Sequence, residues 1–218
     1  PDLPGVKEFL RGDRGAAEKT WAKLGTPTAH FLLALGGWIT CYPKPTPYEN
    51  PWLLYNFRRQ PTPQLAEHYR IAETAFLNLE KAANGGIPAA QYLYARQVLA
   101  GDIPRGVRIR SGRIPLNRGK VMLEKAAAAG HLKAAVLLAE TEFREFPGRY
   151  PQLHARLEPA CKLNYGPAHY LEGRIFEQER NLPEARVSYE KAIEHGDHRG
   201  YRALALLTAS DGRSEQEQ

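Results

Sequence analysis

The chain has 218 residues, 43% of them hydrophobic, enough to bury a sizeable core in one or two domains. Its longest apolar run, Phe31 to Cys41, is broken by two glycines and a threonine and falls well short of the ~20 residues a bilayer crossing needs, which excludes a membrane-spanning helix. Thirty Lys and Arg against 24 Asp and Glu leave +6, a balance that suits an acidic partner, a membrane surface or nucleic acid but is also common on solvated helices.

Pro1 opens the chain with no methionine or apolar leader, the pattern expected of a trimmed chain or of a mature form that has shed an export signal. Apolar residues then recur with helical period. Helices are predicted at 4–11, 13–24 and 27–40, at 65–84 and 88–100, at 117–129 and 131–146, at 150–163 and 166–179, and at 182–195 and 197–210. Stop signals separate them: Gly85-Gly86, Gly130, Asn164 and Gly196 each stand where a helix should end in a left-handed residue. No segment shows sustained strand alternation, so the expected fold class is all-α.

These helices repeat. Leu79-Glu80-Lys81-Ala82-Ala83 returns as Leu123-Glu124-Lys125-Ala126-Ala127, as Leu157-Glu158-Pro159-Ala160-Cys161 and as Tyr189-Glu190-Lys191-Ala192-Ile193. Eleven residues after each leading position stands a small residue (Ala90, Ala134, Ala168, Gly200), and five further on another (Ala95, Ala139, Gly173, Ala205). A degenerate copy runs from Trp21 through Leu24 to Ala29 and Ala34. Small side chains at this spacing let helix backbones approach closely while larger apolar neighbours fill the grooves.

The stretch from Ala168 to Ala192, with Gly173, Phe176, Ala185 and Tyr189 at matching offsets, resembles a tetratricopeptide repeat. The pieces LEKAANGGIPAAQYLYA and LEKAAAAGHLKAAVLLA are similar to the Sel-one-like variant of that family. The resemblance implies a right-handed α-solenoid of about five antiparallel helix pairs with a capping helix. It further implies one domain over 1–210 and general use as a protein-binding framework, while the tail at 211–218, polar and acidic without apolar anchors, is expected to be disordered.

The interval from the small residue to the next leading position is 50 residues (Ala29 to Leu79), then 33, 23 and finally 21 (Ala168 to Tyr189), so two helix pairs carry insertions in their internal turns. The first, at 41–64, combines prolines with Tyr48, Trp52, Tyr55, Arg58 and Arg59, residue types enriched at binding hot spots. Its alternative role is to fold back over the side of the stack. The second, at 101–117, sets Arg105, Arg108, Arg110 and Arg113 against Asp102, with Val107 and Ile109 alternating as in a short extended segment. It suits an acidic surface or phosphates, or is a solvated loop.

No enzyme constellation, cofactor-binding loop or metal-ligand spacing is legible. Cys41 and Cys161 lie in unlike contexts, and Cys161 occupies a position expected to be an inert core thiol. His195 and His198 straddle a helix break, and the carboxylates Glu140, Glu142 and Glu145 fan around a helix surface. A basic residue does not recur from repeat to repeat at the position of Arg96, which argues against nucleic acid.

By the same resemblance, the first helix of each pair lines a concave face, which assigns to it Phe31, Trp38, Tyr92, Arg96, Glu140, Tyr170, Arg174, Glu177 and Arg202, among others. Aromatic anchors flanked by both signs of charge suit one protein partner. Compact Sel-one-like proteins with long inserts are similar to periplasmic immunity proteins that neutralise type VI secretion lipase effectors. That likeness implies a secreted phospholipase as partner and a periplasmic location. An assembly framework for envelope polysaccharide export or secretion, and an enzyme with a deep polar cleft, stand as the other readings.

Overall fold

A computed structural model describes residues 3–41, 63–104, 107 and 115–214, with the backbone alone at 38–41, 63–65, 68 and 210–214. Eleven helices lie among the described residues: α1 (Val6–Leu10), α2 (Arg14–Leu24), α3 (Pro27–Cys41), α4 (Pro63–Asn84), α5 (Pro88–Ala100), α6 (Leu116–Ala128), α7 (Leu132–Glu145), α8 (Tyr150–Lys162), α9 (Gly166–Gln178), α10 (Leu182–Glu194) and α11 (Arg199–Ser214). The helix-pair reading stands, with boundaries within a few residues of those expected. Local chemistry explains the punctuation. Proline occupies one of the first two positions of α5, α8, α9 and α10, where its missing N–H is not needed. Gly86, Gly130, Asn164 and Gly196 all take the left-handed conformation predicted at the helix stops.

The chain divides into two compact units, Pro1–Ala126 and Ala127–Gln218. In the first, α1 packs on α2: Phe9 lies 5.7 Å from the Trp21 ring, and the Trp21 indole donates to the Pro4 carbonyl at 2.9 Å. Gly37 of α3 approaches α4 so closely that a Cβ there would lie 2.7 Å from Ala75. Phe76 and Tyr94, both fully enclosed, join α4 to α5 with ring centroids 5.5 Å apart.

In the second unit, Ala139 of α7, Leu153, Leu157 and Ala160 of α8, and Ala168, Leu171 and Ile175 of α9 form one enclosed cluster. Ala185 and Tyr189 of α10 with Leu207 of α11 form the next. The leading positions Leu79, Leu123, Leu157 and Tyr189 are all at 0% exposure, as are the alanines three residues on, Ala82, Ala126, Ala160 and Ala192.

The small pairs behave as stacking sites with one exception. Ala29, Ala34, Ala90, Ala95, Ala134, Ala139 and Ala168 are at 0% exposure, and Gly173 and Gly200 are buried, but Ala205 is exposed. It lies on α11, the last helix of its unit. Cys161 also departs from expectation: it is half-buried, as are its counterparts Ala127 and Ile193, so only Ala83 fits the core position assigned to that register. α11 continues to Ser214, past the helix end expected at 210. Within the second insertion, Val107 is buried and helical where an extended segment was expected, and Ile103 is buried with it, so apolar residues of this insert turn inward.

Candidate functional site

Tyr170, Arg174 and Glu177 stand at i, i+4 and i+7 on α9 and so share a face. Across from them α11 presents Arg199, Arg202, Ala203 and Leu206, and Tyr189 of α10 closes the floor. Together these residues line a groove of about 430 Å³ within the second unit.

Internal bonds fix most of this surface. The Tyr189 ring is fully enclosed, packs 5.7 Å from Tyr170, and its hydroxyl donates to the Glu177 carboxylate. Burial, reinforced by that hydrogen bond and by the negative charge of Glu177, pushes the Tyr189 hydroxyl well above its ordinary pKa and keeps it a donor. Arg199 donates from Nε to Asp197 Oδ1 at 2.9 Å and from Nη2 to Oδ2 at 2.5 Å, while its backbone N–H caps the same carboxylate at 3.2 Å. Those bonds hold the Asp197 carboxyl below its usual range, against the opposing effect of burial. Thus clamped, the Arg199 guanidinium lies 4.2 Å from the centre of the Tyr170 ring. Arg174 lies 5.4 Å over Phe143 of α7. Glu140 of α7 bonds Arg144 at 2.5 Å and adds its negative charge to the surroundings of Arg199.

Of the residues singled out from sequence, Glu140, Tyr170, Arg174, Glu177 and Arg202 are therefore gathered in or beside this groove. Tyr92, half-buried, and Arg96, exposed, lie on α5 in the first unit. Tyr48, Trp52, Tyr55, Arg58, Arg59, Arg108 and Arg110 lie outside the described residues. Four groove residues escaped the sequence reading: Tyr189, Arg199, Leu206 and Ala203, the last a small side chain with no signal of its own. Tyr189 was read only as a stacking residue, which it also is. Leu206 sits in register with Arg96, Glu140 and Arg174 and was recoverable from that register. Arg199 was signalled only by the Asp197-x-Arg199 spacing at a helix start, which is common.

The first unit has a groove of about 420 Å³ between α2, α3 and α4, but its charges neutralise one another: Arg14 pairs with Glu18 and Arg70 with Glu67, each at 2.6 Å. The second-unit groove differs in offering guanidinium donors beside an aromatic wall and an aliphatic lip. Elsewhere on that unit, burial and then the nearby Glu172 charge push the Cys161 thiol up to about 12, which keeps the free thiol protonated.

Among solved structures, the chain is similar to a Sel1 repeat protein from Oxalobacter formigenes, with a TM-score of 0.64 and 16% sequence identity over 96% of this chain and 74% of that one. No protein-family model and no curated protein matches the sequence. The structural likeness establishes the Sel1-type helical-repeat fold.

Proposed function

We propose that this chain is a non-enzymatic protein-binding repeat protein, and that the groove between α9 and α11 receives an acidic, partly apolar segment of its partner. The observation that carries this reading is the groove's chemistry. Tyr189 and Asp197 hold Glu177 and Arg199 in place, so the surface is organised before any partner arrives, and less side-chain entropy is lost on binding. Arg174 and Arg202 add guanidinium groups suited to carboxylates, and Tyr170 and Leu206 add apolar area. The Sel1-type fold is consistent with such a role.

In its most specific form the proposal is a bacterial immunity protein, placed in the periplasm, that occupies a type VI secretion lipase effector and blocks its active site or its access to membrane. The test is co-elution of the purified chain with a genetically adjacent lipase, together with lipase activity measured at saturating chain. Co-elution with loss of activity is expected. Binding without inhibition would instead favour an assembly role, in which the chain joins components of an envelope export or secretion complex. If the Arg174→Glu/Arg202→Glu double variant bound the partner as tightly as the wild type, the groove would be the wrong surface.

A further inference from the structure

Cys161 near the end of α8 and His169 and Glu172 on α9 bring a thiol, an imidazole nitrogen and a carboxylate oxygen within 4.8 Å of one another. His169 and Glu172 are three residues apart on one helical face, with Nδ1 3.5 Å from Oε2. His169 is 4% exposed, and neither of its ring nitrogens has a hydrogen-bond partner among the described protein atoms. Buried imidazoles are ordinarily satisfied, so this one is shaped for something the protein atoms do not supply. Glu172 is held in turn by Ser188, whose hydroxyl lies 3.2 Å from the carboxylate. His195 stacks on His169 with ring centroids 5.7 Å apart.

We propose that Cys161, His169 and Glu172 form a zinc-binding site that fastens α8 to α9. The donor set selects the ion: sulfur and imidazole favour zinc over magnesium or calcium, and the single carboxylate completes three protein ligands. Donors in a tetrahedral shell built on Zn–S of about 2.3 Å and Zn–N of about 2.0 Å lie roughly 3.5 Å apart. The three side chains therefore close by about 1 Å, a movement open to Cys161 and Glu172 because both border a groove of about 370 Å³. Water from that groove takes the fourth position. As the Zn–S bond forms, the Cys161 S–H bond breaks and its proton leaves to solvent. Ser188 orients the ligating carboxylate, as partners behind metal ligands commonly do. The site is independent of the α9–α11 groove and of its partner.

The full chain, stripped of metal with a chelator, is titrated with Zn²⁺ alone and with Co²⁺ alone. One equivalent bound per chain, a rise in melting temperature with stoichiometric Zn²⁺, and a thiolate-to-cobalt charge-transfer band are expected. Cys161→Ser, nearly isosteric and therefore able to fold, should abolish the band and weaken Zn²⁺ by more than about tenfold, and Glu172→Gln should weaken it comparably. His198→Ala, which alters an exposed histidine outside the cluster, should change nothing. Failure of the wild type to bind Zn²⁺ at micromolar concentration, cobalt uptake without the band, or unchanged affinity in Cys161→Ser would each overturn the assignment.

Discussion

A Cβ built on Gly173 would lie 2.6 and 2.7 Å from carbons of the Tyr189 ring, which is fully enclosed and has nowhere to yield. Gly173→Ala therefore meets a steric cost of ~1–3 kcal/mol, toward the upper end because the obstacle is a ring. The opposing gain in helix propensity is only ~1 kcal/mol. A net loss of about 1–2 kcal/mol should appear as a lower urea midpoint at unchanged slope. Ala205 occupies the equivalent repeat position yet is exposed, so Ala205→Leu should stay within about 0.5 kcal/mol of wild type. Similar losses for both would refute the stacking role given to these sites. Arg180 tests a different local term. It holds φ at 60°, the left-handed region, at the turn after α9, where other turns use glycine or, at Asn164, asparagine. Replacing it by glycine removes a conformational cost of ~1–2 kcal/mol and adds ~0.5–1 kcal/mol of chain entropy. Arg180→Gly should raise the melting temperature, by an amount corresponding to less than about 1 kcal/mol.

Single helices carry their own pH dependence through their caps. The N-cap of α7 is His131, whose Nδ1 accepts from the Ala134 N–H at 3.2 Å and can do so only when neutral. Burial first, and then the positive charge of Lys133, lowers the His131 pKa from 6.5. A folded pKa below the unfolded one means that the unfolded chain binds the proton more readily. This cap's stabilisation is thus present above the unfolded value and lost as pH falls through the folded one. Denaturation measured from about pH 8 to about pH 5 should show that loss in the wild type and a smaller one in His131→Asn, which keeps a neutral cap acceptor. A wild-type profile indistinguishable from that of the variant would exclude His131 as the source. The helix boundaries themselves were legible because proline and left-handed glycine or asparagine act within one turn of the chain. Arg180 was not, since nothing in its own chemistry favours the left-handed conformation it adopts.

For the molecule as a whole, a surplus of +6 together with Arg174 and Arg202 in the groove predicts that association with an acidic partner slows as salt rises. Stopped-flow association rates across a salt series should fall, and the Arg174→Glu/Arg202→Glu variant should lower the rate and flatten its dependence. A rate insensitive to salt would point to a partner recognised through apolar area alone. The +6 charge was legible in composition, but its local meaning was not, because Arg199 is neutralised by Asp197 while the first-unit groove cancels its own charges in pairs.

Recurrence was enough to determine the all-α class, the order of the helix pairs and the enclosed positions from Leu79 to Tyr189, since stacking requires small and large residues at fixed spacing. It also placed Tyr170, Arg174 and Glu177 on a common helical face. Only the folded chain decided that Arg202 and Leu206 stand across from that face, that Ala205 is left uncovered, and that Cys161 meets His169 and Glu172. Periodicity reports which face of a helix is apolar, whereas the meeting of side chains from different helices depends on how those helices rotate and cross, and no spacing along one chain records that.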